Sequence, residues 1–139
     1  MDPLVVPGVL DSLSAIGRYV LGAASAAGLD KRAAYRLRLA VDEIATNAVI
    51  HGYQEAGLEG TLTVRAEVDE GALTIILEDM AARFDPRQVP VPETLDLPLD
   101  ERPIGGLGVY LTLQGVDDFR CERVDDRNRN IFTVRRPKH

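Results

Sequence analysis

Apolar residues recur at helical spacing in two stretches near the N-terminus. The first stretch is residues 10–27, and its apolar stripe consists of Leu10, Leu13, Ile16, Val20 and Leu21. Gly28 is placed to end this helix. The second stretch follows Asp30, a favourable N-cap residue, and runs to about His51, where Gly52 ends it. Its apolar face consists of Ala34, Leu37, Ala40, Val41, Ile44, Ala48 and Val49. The pattern therefore predicts two amphipathic helices.

Alternating apolar and polar positions then predict strands. The segments TLTVRAEV (61–68) and ALTIILED (72–79) alternate with period two, and the short turn Asp69–Glu70–Gly71 between them indicates a β-hairpin. Two more strands are predicted near residues 118–124 and 130–135, joined by the turn DDRNRN. The sheet of this protein is therefore built mainly from hairpins.

A loop and a third helix separate these two strand pairs. Residues 83–104 contain five prolines and no sustained period, which is typical of a lid or a linking loop. A helix is predicted from about Leu107 to Val116. Because helices and antiparallel strands are segregated along the chain, we predict an α+β sandwich with helices on one face of a sheet. The 139 residues fit a single domain, 1–139.

Composition narrows the classes of function. The formal net charge is −6 and no basic patch is visible, so direct nucleic-acid binding is not indicated. The single cysteine, Cys121, excludes an intrachain disulfide and suits a reducing cytosol. No signal peptide or membrane span is apparent, so we expect a cytoplasmic protein. A phosphate ligand would have to be held by local dipoles and a metal ion.

Three polar residues recur at four-residue intervals in the segment LRLAVDEIATNAVIHGY. Glu43, Asn47 and His51 share one face of the second helix, because residues at i, i+4 and i+8 point the same way. Asn is unfavourable inside a helix, whereas its oxygen suits a hard cation such as Mg²⁺. Glu43 would then be free to act as a base. The alternative is a solvated polar face, with His51 a favourable charge at a helix end.

Two further signals concern a nucleotide. Asp79 ends a predicted buried strand, where its carboxylate could accept a hydrogen bond from an exocyclic amine such as that of adenine. The alternative is an ordinary turn Asp. Gly105, Gly106 and Gly108 precede the third helix, and glycines at a helix start expose N–H groups that bind phosphate. The alternative there is a flexible hinge.

In their order and spacing these signals resemble the GHKL superfamily of ATP-binding domains, and specifically the anti-sigma-factor serine/threonine kinases. The resemblance covers roughly residues 8–136. Its most specific part is DEIATNAVIHGY, which is similar to that family's N-box. The resemblance implies that Asn47 coordinates Mg²⁺, that Glu43 is the catalytic base, and that His51 lies at the nucleotide site.

The remaining motifs extend the resemblance along the chain. DMAARFDP looks like the second box, which implies that Asp79 recognises the adenine amino group and that the backbone at Ala81 passes close to the nucleotide. GGLGVYL looks like the third box, which implies phosphate contacts from Gly105, Gly106, Leu107 and Gly108. The loop 83–104 would be the ATP lid, and Arg102 is our candidate for a phosphate contact. Thr133, on the last strand, would line the nucleotide pocket.

The resemblance also implies a fold, an activity and partners. The fold is the Bergerat-type two-layer sandwich, a mixed and mostly antiparallel sheet covered on one face by three helices. The activity is phosphorylation of an antagonist (anti-anti-sigma) protein on Ser or Thr with Mg²⁺ and ATP, in a partner-switching system that also binds a sigma factor. Members are often homodimers. No membrane partner is implied.

Three hypotheses follow from the sequence. The first is an active serine/threonine kinase, indicated by the Glu43–Asn47 pair. The second is a binding module that has lost efficient catalysis and sequesters a sigma factor or another regulator. It is motivated by Ala81, where the family has Gly, and by Arg83, where it often has Pro. The third, an ATPase of the chaperone or topoisomerase type, is disfavoured because the chain lacks the extra domain of those machines.

Overall fold

The computed structural model describes residues 1–81 and 113–137. The helical elements are a 3₁₀ turn (Leu10–Ser12), α1 (Leu13–Ala26), α2 (Lys31–Asn47) and a π-helical segment (Ala48–Gln54) that continues α2. The strands are β1 (Leu4–Pro7), β2 (Thr61–Val68), β3 (Ala72–Asp79), β4 (Asp118–Val124) and β5 (Arg127–Arg135). The predicted α+β class is confirmed, and no helix in the described ranges is long and apolar enough to cross a membrane.

The five strands form one sheet in the order β1-β2-β3-β5-β4. Every neighbouring pair is antiparallel, so the described sheet is not mixed, contrary to the fold that the resemblance implied. The predicted hairpin of β2 and β3 has the predicted bounds. Two helices, α1 and α2, are described; the lid at 83–104 and most of the predicted third helix lie outside the described residues.

Strand register assigns each side chain to one of the two faces of the sheet. Leu62 lies opposite Asp79 and Val64 opposite Leu77, and all four are buried. This face carries α1 and α2, and we call it the helix-covered face. The residues alternating with them form the outer face, which includes Glu78. The core lies between the helices and the covered face, and its members include Ile16, Val20, Leu37, Val41, Ile44, Leu73, Ile75, Leu77 and Phe132.

The helix ends follow the capping signals in the sequence. Asp30 Oδ1 accepts a hydrogen bond from Ala33 N (2.8 Å), which caps α2 as predicted. Gly28 follows α1 with a φ of 81°, a left-handed conformation that glycine adopts without strain. The α-helical pattern of α2 stops at Asn47, before the predicted end. Beyond it the backbone bonds run from i to i+5, as in Glu55 N to Ile50 O at 2.9 Å.

Two features of the sheet differ from the prediction. The sequence pattern does not predict strand β1, because a segment of four residues is too short to show a period. The last hairpin has a tighter turn than the predicted DDRNRN, because Asp125 (φ 50°) and Asp126 (φ 63°) both take left-handed conformations. That geometry closes a two-residue turn, so β5 begins at Arg127.

Candidate functional site

Asp79 lies at the end of β3 on the helix-covered face and is 3% exposed. Its Oδ1 accepts hydrogen bonds from Ala81 N (3.0 Å) and from Asn128 Nδ2 (2.9 Å). No donor from the described residues reaches Oδ2. Burial raises the pKa of Asp79, although these two donors and the nearby Arg123 oppose that shift. The site thus holds a buried carboxylate with one oxygen oriented by the protein.

Asn47 is the last residue of α2, and Glu43 precedes it by one turn. Asn47 is 9% exposed, yet its carboxamide makes no hydrogen bond to any residue in the described part of the chain. Among the described residues, the fully buried side-chain polar atoms without a hydrogen bond belong to Arg65, Arg129 and Asn130, so the Asn47 carboxamide still reaches solvent and is accessible to a ligand. Glu43 is partly exposed, so a carboxylate there remains accessible.

His51 lies within the π-helical segment rather than in the α-helix. Its side chain is exposed, and its Nδ1 lies 2.9 Å from Glu55 Oε2. The four-residue spacing that linked it to Asn47 therefore spans a change of helix type. Its contact with a nucleotide stays a prediction.

Tyr53 joins the end of this helical segment to the end of β3. It is 2% exposed, and its hydroxyl donates to Thr61 O (2.7 Å) and accepts from Met80 N (2.8 Å). A Cβ at Gly8 would lie 2.6 Å from the ring, and one at Gly60 would lie 2.8 Å from it. Glycine at both positions therefore makes room for the ring. The Tyr53 contacts fix the predicted N-box relative to the strand that carries Asp79.

A second contact joins the same two segments. A Cβ added at Gly52 would lie 2.8 Å from the Cβ of Ala81, closer than real Cβ contacts allow. Ala81 is 2% exposed. Within residues 1–81 and 113–137, the non-glycine residues with positive φ are Asp125 and Asp126, so the methyl group of Ala81 imposes no left-handed strain. Its predicted nearness to a nucleotide stays a prediction.

The prediction for Thr133 is corrected by the strand register. Thr133 lies opposite Thr74, on the outer face of the sheet, whereas Asp79 lies on the helix-covered face opposite Asn128. Side chains alternate along β5, so Thr133 and Asn128 point to opposite faces. Asn128 is the residue beside Asp79, and the sequence reasoning missed it. Counting the register back from a two-residue turn would have identified it.

The outer face carries a second carboxylate directly before Asp79. Glu78 is 8% exposed and lies 3.2 Å from Arg129, 3.6 Å from Arg65 and 3.6 Å from Arg127. A cavity of about 350 Å³ opens at this end of the sheet, lined by Val5, Thr61, Thr63, Glu78, Asp79, Met80 and Arg127. Most of its lining belongs to the outer face, and Asp79 is the residue that it shares with the candidate site.

The predicted phosphate contacts lie outside the described residues. They are Gly105, Gly106, Leu107, Gly108 and Arg102. Among the residues that are described, no three His, Cys, Asp or Glu side chains group in a way that could hold a metal ion. A Mg²⁺ ion in a nucleotide site commonly takes one or two protein ligands and completes its shell with phosphates and water. A single carboxamide ligand, from Asn47, is compatible with that arrangement.

Comparison with known proteins identifies the family to which this chain is similar. Residues 6–135 match the histidine kinase-like ATPase domain family. The chain is 33% identical over 121 residues to the serine-protein kinase RsbW of Bacillus pumilus, covering 84% of this chain and 75% of that protein. It is 32% identical over 120 residues to RsbW of Bacillus subtilis (84% and 74%). It is 29% identical over 103 residues to the anti-sigma F factor of Clostridium novyi (73% and 70%).

A solved structure shows the same fold. It is the histidine kinase domain of the blue-light activated histidine kinase from Erythrobacter litoralis, with a TM-score of 0.52 and 21% identity. The alignment covers 88% of this chain and 59% of that chain. At this level of identity the likeness concerns the fold alone.

Proposed function

The chain belongs to the histidine kinase-like ATPase domain family, and we propose that it is an anti-sigma-factor-type serine/threonine protein kinase. It binds Mg-ATP and phosphorylates an antagonist (anti-anti-sigma) protein. The observation that carries the proposal is the junction at Tyr53. This junction fastens the helix that bears Glu43 and Asn47 to a strand ending in the buried Asp79. The names of the RsbW relatives support the kinase class.

Each described residue of the site has a role in this proposal. Asp79 accepts a hydrogen bond from the amino group of adenine. The carboxamide oxygen of Asn47 holds Mg²⁺, which when bound neutralises charge on the phosphates. Glu43 orients or deprotonates the incoming hydroxyl of the phosphoacceptor, because it lies one helical turn from the metal ligand.

The parts of the proposal outside the described residues come from the sequence. Gly105, Gly106 and Gly108 precede a predicted helix, whose N–H groups bind phosphate, and Leu107 contributes a backbone group there. Arg102 is the candidate for a contact with the terminal phosphate. His51, which is described, borders the nucleotide from within the π-helical segment.

We further propose that the chain works in partner switching in the cytoplasm. A sigma factor and an antagonist protein are the partners, and the name of the anti-sigma F factor relative supports the first of them. A homodimer is part of this proposal. Direct nucleic-acid binding is not part of it, since the net charge is −6, and no membrane partner is included.

The second candidate is a binding module with weak or absent catalysis, motivated by Ala81 at the position where the family has Gly. The negative φ of Ala81 argues against backbone strain as the cause of such a loss. Its methyl group still occupies the space in front of Gly52. Replacing Ala81 with Gly tests this candidate: a large gain in ATP affinity would favour it.

The proposal is tested by calorimetric titration with ATP, with and without Mg²⁺. Wild type should bind in a Mg²⁺-dependent manner, and Asn47→Ala should lose that dependence. Gln54→Ala is the control, because it removes an exposed carboxamide from the adjoining helical segment. Absence of ATP binding by wild type would refute the nucleotide site.

The catalytic role is tested separately, by phosphate transfer from labelled ATP to an antagonist protein. Glu43→Gln should abolish transfer while ATP binding persists. Asp42→Asn, the neighbouring carboxylate on the same helix, is the matched control. Full transfer by Glu43→Gln would refute the role of Glu43.

A further inference from the structure

A chain of hydrogen bonds runs from β4 through β5 to Asp79. Arg123 and Asn128 are register partners on the helix-covered face. Arg123 Nη1 donates to Asn128 Oδ1 (3.2 Å) and to Ala81 O (2.7 Å). Asn128 Nδ2 donates to Asp79 Oδ1 (2.9 Å). Two side chains thus fix both the carboxylate and the backbone that follows it.

We propose that Arg123 and Asn128 are positioning residues, which hold the Asp79 carboxylate as an oriented acceptor for adenine and thereby set the preference for adenine over guanine. This inference rests on the proposed nucleotide site. It assigns a role to two residues that the motifs of the sequence do not include. Neither residue is required to touch the nucleotide.

The orientation of the Asp79 carboxylate follows from which donors bind each of its two oxygens. Oδ1 receives two donors, Ala81 N and Asn128 Nδ2, so the described protein directs Oδ2 to another partner. The amide of Asn128 can rotate only if Arg123 releases its oxygen. A carboxylate held in this way accepts the N6 amine of adenine, whereas guanine presents an acceptor, O6, at the equivalent position.

The charge of Arg123 also helps to keep Asp79 an acceptor. Burial favours the neutral form of Asp79, and a neutral carboxyl would offer an O–H in place of an acceptor. In the described part of the chain, Arg123 from β4 and Tyr53 from the π-helical segment are the charged or titratable groups that face Asp79. Arg123 lowers the pKa of Asp79, and Tyr53 is neutral near pH 7.

The first experiment follows the Asp79 carboxyl carbon by NMR during a pH titration of the full chain without nucleotide. Arg123→Gln and Asn128→Leu should both raise the titration midpoint of Asp79. Arg123→Lys keeps the charge and should restore part of the shift. Arg120→Gln is the matched control, because it removes the same charge from the same strand on the outer face. A midpoint in Arg123→Gln equal to that in Arg120→Gln would overturn the inference.

The second experiment measures ADP and GDP affinity by calorimetry on the same variants. Arg123→Gln should bind ADP about tenfold more weakly, the size expected for a weakened bond to a charged group. GDP affinity should not fall, and the loss for ADP should grow as the pH is lowered. Equal losses for both nucleotides, with no change in pH profile, would overturn the proposed selectivity.

The two experiments separate the two proposals. If wild type binds no ADP while Arg123→Gln still shifts the titration of Asp79, the nucleotide site is refuted and the orienting role of Arg123 stands. If wild type binds ADP and neither readout changes in the variants, the nucleotide site stands and the positioning role is refuted. A variant that unfolds is replaced by Arg123→Lys, whose partial effect decides the same question.

Discussion

Replacing Tyr53 with Phe tests how firmly the predicted N-box is attached to the sheet. Tyr53 is 2% exposed, and its hydroxyl joins Thr61 O at 2.7 Å to Met80 N at 2.8 Å. Phe keeps the ring but leaves the N–H of Met80 without this partner. Each of the two hydrogen bonds that Phe cannot make contributes about 0.5–1.5 kcal/mol net, so we expect a loss of about 2 kcal/mol in the free energy of unfolding.

The measurement is urea unfolding followed by circular dichroism. A loss of about 2 kcal/mol lowers the urea midpoint by about 1 M when the slope is about 2 kcal/mol/M. Tyr35→Phe is the control, because Tyr35 is 58% exposed on α2. Its effect should stay within about 0.5 kcal/mol.

Alkaline pH gives the prediction a second readout. Burial raises the pKa of Tyr53, so the native state keeps this proton to higher pH than the unfolded state does. Wild-type stability should therefore fall as the pH rises above about 10, and this part of the fall should be missing in Tyr53→Phe. If Tyr53→Phe and Tyr35→Phe have the same midpoint and the same pH dependence, the attachment role is wrong.

The remaining predictions concern four other places in the chain. Gly52→Ala should destabilise the protein by about 1–3 kcal/mol, because the added Cβ would lie 2.8 Å from the Cβ of Ala81. In a double-mutant cycle, Ala81→Gly should restore the stability lost in Gly52→Ala, and absence of this rescue would refute the contact. Asp79→Asn should be more stable than wild type near pH 8, because the pKa of Asp79 is raised in the folded state. Wild-type stability therefore falls as the pH rises through that raised pKa, whereas the stability of Asp79→Asn does not. The urea midpoints of the two proteins should converge at acid pH. Asp69 Oδ1 accepts hydrogen bonds from Gly71 N and Ala72 N, and these bonds lower the pKa of Asp69. The stability that Asp69 contributes is therefore present above the ordinary pKa of Asp and is lost as the pH falls through the lowered pKa. In urea unfolding, Asp69→Ala should lose less stability than wild type does over this acid range. Asp125→Asn combined with Asp126→Gly should raise the unfolding free energy by about 1 kcal/mol, because both positions have positive φ; an unchanged thermal midpoint would contradict this.

Local signals in the sequence are sufficient to predict α1, the start of α2 and the first hairpin. Asp30, Gly28 and the turn at Asp69 act within a few residues of themselves, so their effect can be predicted without tertiary contacts. The π-helical segment cannot be predicted in this way. Its wider turns place Gly52 against Ala81 and the Tyr53 hydroxyl against Met80 N, and these contacts are long-range in sequence.

The residues of the candidate site also differ in whether local sequence predicts them. Asp79 and Asn47 can be singled out because each belongs to a short motif. Thr133 was misplaced, and Asn128 missed, because the face of a β5 residue depends on a turn whose two aspartates both have positive φ. Such a turn usually carries Asn-Gly or Asp-Gly, so DDRNRN gives a weak indication of where the strand resumes.

The adjacent carboxylates Glu78 and Asp79 also constrain how the sheet can assemble. Their side chains point to opposite faces, Glu78 toward three arginines and Asp79 toward the helices. If β3 slipped by one residue against its neighbours, Glu78 would be carried to the apolar side and every buried leucine of the strand to the outside. Because each of the two consecutive acids suits only one face of the sheet, they favour a single register for the central strand during folding.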